Sequence, residues 1–308
     1  MMTLIFADTI FAEHVTPQGH PERQARMEAV GRALDRPEIS ALDTREAPPA
    51  AHEAIIRAHP EAFVEGVKAR VPSDGFHSLD PDTHMSPKSW QAAERASGAV
   101  IAAIDAVVGG SAPNAFVAAR PPGHHAERHR AMGFCLINHI AIGAHHAKAH
   151  HGLGRVAIVD FDVHHGNGTQ DIFYEDGSVL YVSTHQSPLY PGTGMPDERG
   201  VGNIVNIPFA AGIDGRRYRP VFRDVVVSAV RAFQPELILL SSGFDAHHDD
   251  PLGGMALTED DFVWITEEMM GVADALCGGR LVSLLEGGYD LGALERSVAA
   301  HVMTLAKV

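Results

Sequence analysis

Short apolar runs separated by longer helical patterns are the feature that most limits the folds open to this chain. Seven runs are typical of β-strands, at 3–7 ("TLIFA"), 114–119, 155–161, 178–184, 203–207, 236–242 and 280–285. Helices are predicted between them, at about 21–35, from Ser86-Pro87 onward, and at 135–150, 214–233, 258–277 and 290–306. Because strands that alternate with helices pair in parallel and are covered on both faces, the sequence predicts an α/β fold.

Composition favours one globular domain over residues 1–308. The chain is 45% hydrophobic, and we find no proline- or serine-rich linker and no internal repeat. No apolar run approaches the roughly 20 residues of a membrane helix, and the first residues lack the basic region of a signal peptide. Two cysteines are too few for a disulfide framework, so we expect a cytoplasmic protein without a membrane partner. The net charge of −15 argues against a nucleic-acid partner and mildly favours cationic substrates.

Polar motifs follow five of the predicted strands. They are "RPPGHHAERHRAMGF", "DFDVHHGNGT", "STHQSPLYPGTG", "SGFDAHHDDPLGG" and "EGGYD". The carboxyl ends of parallel strands meet at one edge of a sheet, and open α/β sheets bind their ligands there. We therefore expect the motifs to form one shared site.

Three residues of these motifs make a candidate metal site. Asp162, His164 and Asp245 would supply two carboxylates and one imidazole, a ligand set that leaves a position open, as in catalytic zinc sites. Fe²⁺ or Co²⁺ would suit the same ligands. Alternation along an extended chain predicts that Asp160, Asp162 and His164 point to one side. The alternative is that the aspartates only cap helices or bind loop backbone, which their common sheet edge disfavours.

Two further motifs offer catalytic groups. His124 and His125 lie in a loop bent by proline and glycine, and a histidine beside a metal-bound water can act as general base and then as general acid. Tyr289 follows two glycines and could donate a hydrogen bond to a developing oxyanion.

The remaining histidine pairs carry no predicted function. Those of "AHHAKAHHG" fall in the last turns of a predicted helix, where cations are favoured, and a further pair is expected to face solvent. These residues are His145, His146, His150 and His151 in the helix, and His247 and His248 beyond Asp245.

Taken together, "RPPGHHA", "GFCLIN", "VDFDVHHGNGT", "PGTG", "SGFDAHHDDPLGG" and "EGGYD" resemble the zinc-dependent histone deacetylase family, on its class II-like and bacterial amidohydrolase side. The matching segments run in order from about Arg23 to Tyr289. The resemblance implies the arginase-deacetylase fold, a single mostly parallel sheet of about eight strands with helices on both faces. One strand would then be missing from the seven predicted above.

The resemblance also implies roles for individual residues. The zinc ligands would be Asp162, His164 and Asp245, and the catalytic group would comprise His124, His125, Asp160, Asn167 and Tyr289. His125 would be the general base and acid, Asp160 would pair with His124, and Asn167 would orient His125. Substrate would meet Gly133, Phe134, Tyr190, Leu252 and Asp82, with Asp80 close by, and Arg23 would line an acetate exit. Structural potassium would lie near Asp160, Asp162, His164, Ser183 and Thr184, and a second ion near Phe173, Asp176 and Val179.

The implied reaction is hydrolysis of an acetylated amine with release of acetate. A glutamate after "DDP" is typical of polyamine-selective relatives, and Leu252 at this place favours acetyl-lysine in peptides or proteins. Acetylpolyamines and other small amides stay open as substrates, and so does a homo-oligomeric state. Two remote alternatives are a binuclear manganese ureohydrolase, which would need carboxylates where Gly166 and His247 stand, and a non-catalytic acetyl-lysine binder, which would lack a catalytic group.

Overall fold

One parallel sheet forms the centre of the computed structural model, which describes residues 2–307. Its strands are β1 (Leu4–Phe6), β2 (Asp43–Arg45), β5 (Asn114–Val117), β6 (Val156–Asp160), β7 (Val179–Gln186), β8 (Ile204–Phe209), β9 (Leu237–Ser242) and β10 (Leu281–Leu285). They are ordered β2-β1-β5-β10-β9-β6-β7-β8, and every neighbouring pair is parallel. A separate antiparallel hairpin joins β3 (His77–Asp80) to β4 (Thr83–Met85). The predicted α/β fold with about eight strands is confirmed.

Eleven α-helices connect these strands in the described part of the chain. They are α1 (Ala25–Leu34), α2 (Pro37–Ser40), α3 (His52–Ile55), α4 (Glu61–Lys68), α5 (Ser89–Val108), α6 (His139–His151), α7 (Asn167–Phe173), α8 (Gly215–Val221), α9 (Ser228–Phe233), α10 (Glu259–Cys277) and α11 (Leu291–Ala306). A 3₁₀ turn covers Thr9–Ala12, and a π-helical segment at Phe222–Val227 joins α8 to α9. Within residues 2–307, no helix is both long and apolar enough to span a bilayer.

Side-chain alternation along the strands divides the core into two layers. Leu4 and Phe6 belong to the layer beneath α5 and α6, whereas Ile5 between them packs into the layer that includes residues of α1, α10 and α11. Ile158 and Val159 on β6 divide in the same way. Because both faces of a parallel sheet must be covered, this division is the packing that the alternating strand and helix pattern predicts.

All seven predicted strands are present, each within two residues of the predicted bounds. The eighth strand is β2, whose three residues are all exposed at the edge of the sheet, so no apolar run marks it. The β3–β4 hairpin and the helices α2, α3, α4 and α7 were also not predicted. Short elements such as these carry too few residues for a periodic signal.

The four central strands bring the polar motifs together. β5, β10, β9 and β6 are adjacent, and the loops after their carboxyl ends carry His124, Tyr289, Asp245 and Asp162. One local prediction was wrong, because β6 ends at Asp160 and does not extend through 164. Asp162 and His164 are instead aimed by turns in which the Asp162 amide donates to Asp160 Oδ1 at 3.1 Å and the His164 amide to Asp162 Oδ1 at 2.8 Å.

Candidate active site

Asp162, His164 and Asp245 converge at the floor of the site. One donor atom from each lies within 4.8 Å of the others. His164 Nδ1 is 3.1 Å from Asp162 Oδ1 and 3.2 Å from Asp245 Oδ2, and both carboxylates are almost completely buried. A buried pair of carboxylates requires compensating positive charge, so this cluster is a candidate cation site.

Backbone groups hold the two carboxylates in place. The Val163 amide donates to Asp245 Oδ1 at 2.8 Å, and the Gly287 amide donates to Asp162 Oδ2 at 2.9 Å. A Cβ atom at Gly287 would collide with the carboxylates of Asp245 and Asp162, so no other residue fits between β10 and the site. The first glycine of "EGG" is therefore required by close approach.

The pKa values of His164 and Asp245 are raised because positive charge is lacking between the carboxylates. Burial lowers the pKa of His164, but the carboxylates of Asp162 and Asp245 outweigh burial and raise it to about 10. Burial and the charge of Asp162 raise the pKa of Asp245 to about 7. Two carboxylates and an imidazole nitrogen at these separations fit one divalent transition ion, which would replace the proton on His164.

The tandem histidines are distinguished by their partners. His124 Nδ1 donates to Asp160 Oδ2 at 3.0 Å, and the same oxygen accepts the Tyr181 hydroxyl at 2.9 Å. Burial alone would lower the pKa of His124, but the charges of Asp160 and Asp162 raise it well above its usual value. His124 is therefore held as an imidazolium.

His125 faces a neutral partner. Its Nδ1 lies 2.8 Å from Asn167 Oδ1, and Asn167 Nδ2 in turn donates to Glu127 Oε1 at 2.7 Å. Because the amide nitrogen is used by Glu127, the amide oxygen must accept from His125 Nδ1, which leaves Nε2 of His125 with a free lone pair. Burial and the positive charges of His124 and His164 lower the pKa of His125 well below its usual value. This imidazole is the one that can accept a proton near neutral pH.

A cavity of about 250 Å³ leads from the surface to these groups. The predicted substrate residues Gly133, Phe134, Tyr190, Leu252 and Asp82 all line it, together with His125, His164, Tyr289 and Leu189, the last of which the sequence did not suggest. The Phe134 ring stands edge-to-face against Tyr289 at 5.8 Å, and the Tyr190 ring against His125 at 5.2 Å. The walls are thus aromatic and aliphatic, while the floor is ionic.

Asp82 stands at the mouth of the cavity. Its carboxylate accepts from the Gly133 amide at 3.2 Å and from the Thr83 hydroxyl at 2.9 Å. Burial and the neighbouring charge of Asp80 raise the pKa of Asp82. Asp80 itself is paired with Arg130 at 2.8 Å, so Asp82 stays the predicted rim carboxylate.

Arg26 and Glu286 are structural parts of the site that the sequence did not reveal. Arg26 donates to the carbonyls of Gly288 and Glu286 at 2.7 and 2.6 Å, and its guanidinium lies 5.0 Å from the Tyr289 ring centre. Glu286 Oε2 accepts from the Gly123 and His124 amides at 2.8 and 3.2 Å. Arg23, predicted to line an acetate exit, is exposed at the surface. Nothing in a single sequence distinguishes Arg26 from Arg23.

The residues predicted around the first potassium ion are neighbours. Asp160 on β6 pairs in register with Ser183 on β7, and the Thr184 hydroxyl lies 3.4 Å from the Asp160 carbonyl oxygen. The first potassium site stays a prediction.

The geometry argues against the second potassium site. Asn203 Nδ2 donates to the carbonyl oxygens of Phe173, Asp176 and Val179 at 2.9, 3.1 and 2.8 Å. The amide has only two N–H groups for these three oxygens, but its nitrogen stands where the ion was expected.

His247 also differs from the prediction. It is fully buried, whereas its neighbour His248 is half exposed. His247 Nδ1 accepts from the Asp249 amide at 3.1 Å, and its Nε2 lies 3.4 Å from Glu259. It is directed away from the metal ligands, and Gly166 has no side chain, so the described residues hold no second carboxylate cluster of the kind a binuclear ureohydrolase needs.

Comparison with known proteins identifies the family. The family model of the histone deacetylase domain matches residues 20–305. A histone deacetylase-like amidohydrolase of Pseudomonas aeruginosa is 40% identical over 278 residues, covering 88% of this chain and 73% of its own length. A probable deacetylase of Archaeoglobus fulgidus is 37% identical over 99% of this chain and 87% of its own length. The crystal structure of the HDA15 HD domain superimposes with a TM-score of 0.93 at 34% identity, covering 98% of this chain and 90% of that one. The chain therefore belongs to the histone deacetylase family, and its fold is the arginase-deacetylase fold.

Proposed function

We propose that the chain is a zinc-dependent deacetylase that removes acetyl groups from Nε-acetyl-lysine in peptides or proteins. The observation that carries this proposal is the arrangement of a neutral histidine, His125, above the three-ligand cluster at the end of an apolar cavity. A zinc ion held by Asp162, His164 and Asp245 would supply a Lewis acid for the amide carbonyl and a water of lowered pKa. Membership of a deacetylase family supports the hydrolytic chemistry.

His125 would carry out both proton transfers, and Tyr289 would stabilise the oxyanion. His125 Nε2 takes a proton from the water as its oxygen bonds to the carbonyl carbon. The Tyr289 hydroxyl, whose pKa burial raises well above its usual value, stays protonated and donates to the resulting oxyanion. The protonated His125 then delivers its proton to the amine nitrogen as the carbon–nitrogen bond breaks. Acetate and a free amine leave.

The mouth of the cavity supports acetyl-lysine as the substrate. Leu252 and Leu189 present aliphatic surface there, and the Leu252 amide is fixed by Asp250 Oδ1 at 2.9 Å. An aliphatic gate offers no charge-assisted hydrogen bond to a second ammonium group, a contact worth roughly 1.5–3 kcal/mol. Asp82 lines the same cavity and would accept a hydrogen bond from a peptide amide of the substrate.

An acetylpolyamine is the second candidate substrate, and Asp82 is the observation that favours it. A half-buried carboxylate beside the tunnel could bind an ammonium as well as an amide, and the net charge of −15 attracts polycations over a range limited by salt.

Two measurements test the proposal. Chelated protein should be inactive on a fluorogenic acetyl-lysine peptide and should recover with Zn²⁺; full activity after complete metal removal would refute metal dependence. The kcat/KM for that peptide should exceed the value for N-acetylputrescine. A value at least tenfold higher for N-acetylputrescine would refute the substrate assignment.

Leu252→Glu examines the gate directly. The new carboxylate should shift preference towards N-acetylputrescine by about tenfold or more, the equivalent of 1.4 kcal/mol or above. Leu252→Gln is the matched control, because glutamine has the size of glutamate but no charge. It should shift preference much less. Equal shifts in both variants would show that gate size, not charge, selects the substrate.

A further inference from the structure

A cluster of histidines lies where α5 and α6 end together. The two helices pack in parallel, because Ser97 Oγ bonds His139 Nδ1 at 2.8 Å near the start of α6 while Asp105 meets His146 and His151 near its end. Asp105 is in the last turn of α5, and α6 ends at His151. The carboxyl-terminal ends of both helices therefore meet at this cluster.

The donor atoms of the cluster converge. Asp105 Oδ1 lies 2.7 Å from Nε2 of both His146 and His151. The His150 ring stacks on His146 with ring centres 4.9 Å apart, and one donor atom from each of the four residues lies within 4.8 Å of all the others. Donor atoms in a tetrahedral zinc site are about 3.3 Å apart, as zinc–nitrogen bonds of about 2.0–2.1 Å require. The side chains of Asp105 and His151, which are 44% and 18% exposed, have room to rotate towards that spacing.

The local charge favours a cation. Each helix carboxyl terminus carries about half a negative charge, and the Asp105 carboxylate adds a full one. Of the residues that the structure describes, no lysine or arginine forms a salt bridge with Asp105.

We propose that Asp105, His146, His150 and His151 form a second metal site, which binds a divalent transition ion of the zinc class. Three imidazoles and one carboxylate suit Zn²⁺, and Ni²⁺ or Cu²⁺ would fit the same donors. A cavity of about 370 Å³ borders Asp105, His146 and His150 and gives an ion access from solvent. The proposal departs from the sequence-based expectation that these histidines have no function.

A metal ion at this site would link the carboxyl-terminal ends of α5 and α6. His139, at the first turn of α6, bonds the Pro121 carbonyl at 3.1 Å in the loop that carries the tandem histidines. The 13 residues of α6 span about 20 Å, so the cluster lies far from the reacting groups. A bound ion would fix the far end of a helix whose near end supports the catalytic loop.

A second cluster, of which only His248 and Asp249 are exposed, provides a matched control. His247, His248 and Asp249 also bring donor atoms together. There, however, Arg296 Nη2 lies 3.1 Å from Asp249 and already supplies the positive charge. That cluster should not bind zinc.

Zinc stoichiometry tests the proposal. Protein stripped of metal is dialysed against Zn²⁺ alone, and bound metal is counted by elemental analysis. The unmodified chain should bind two ions, and His150→Ala/His151→Ala should bind one, with affinity at the second site reduced on the order of 100-fold. His248→Ala/Asp249→Asn should still bind two. Equal stoichiometry in the unmodified chain and His150→Ala/His151→Ala would overturn the proposal.

Thermal unfolding gives an independent measurement. In an Asp245→Ala background, added Zn²⁺ should raise the Tm, because an ion that binds only the folded state stabilises it. The rise should vanish when His150→Ala/His151→Ala is added. His150 and His151 lie on the helix surface, so their replacement leaves the core intact. An undiminished rise in Tm in the combined variant would refute the second metal site.

Discussion

Replacing Asn167 with aspartate should move the acidic limb of the kcat/KM profile to higher pH. In the native chain, His125 Nδ1 donates to a neutral amide oxygen at 2.8 Å. Burial and the positive charge of His124 lower the pKa of His125, and a metal ion bound to His164 would take the place of the proton there. A general base must be neutral, so activity falls as the pH drops through this pKa. A carboxylate at 167 would favour the imidazolium and raise that pKa.

The size of the shift depends on Glu127. Opposite charges about 4 Å apart interact by roughly 4 kcal/mol at an effective dielectric constant of about 20, which is equivalent to about three pKa units. Asn167 Nδ2, however, donates to Glu127 Oε1 at 2.7 Å, and in the variant two carboxylates would face each other there. Repulsion between them would raise the pKa of one carboxyl group, which would then stay partly protonated. We expect a shift of about one unit in Asn167→Asp and two or more in Asn167→Asp/Glu127→Gln.

The assay is kcat/KM against pH with saturating metal, for the unmodified chain, both variants and Glu127→Gln alone. Glu127→Gln controls for loss of the glutamate charge and should leave the acidic limb nearly in place. If the double variant stays active and its acidic limb does not move, then Asn167 does not set the basicity of the catalytic group, and His125 is not the base.

Three other perturbations follow from the geometry. Tyr289→Phe should lower kcat by on the order of 100-fold with little change in KM, because the hydroxyl acts on charge that develops in the transition state; normal turnover would remove this residue from the mechanism. Asp245→Ala should lose the catalytic metal, as measured by elemental analysis, and retention of a full complement with activity would contradict the ligand assignment. Gly98→Ala should lower the free energy of unfolding by about 1–3 kcal/mol, because a Cβ there collides with the Pro48 carbonyl. Gly271→Ala, with nothing within 4 Å, is its control in denaturant titrations and should be neutral or stabilising.

The sequence predicted the features that depend on local patterns. Buried runs such as the one ending at Asp160 indicate strands, and parallel pairing then places their following loops at one edge, which is why His124, Asp162 and Asp245 could be grouped. β2 carries no such run, because an edge strand can be exposed along its length.

Long-range contacts explain what was missed in the site. Arg26 is completely buried, and it donates to carbonyls more than 250 positions away in the sequence. In the sequence alone it resembles any arginine on a helix surface. The Asn203 amide likewise takes its place among three carbonyls only through tertiary folding.

The position of β10 has a consequence for synthesis on the ribosome. β10 (Leu281–Leu285) follows every other described strand in the sequence, yet it lies between β5 and β9 at the middle of the sheet. Until these residues leave the ribosome, the half of the sheet that contains β5 cannot be joined to the half that contains β9. Until then, both strands present unpaired edges, which are sites of aggregation. Folding of the site therefore waits until β10 has left the ribosome, and a chain interrupted before Leu281 is a predicted target for chaperones.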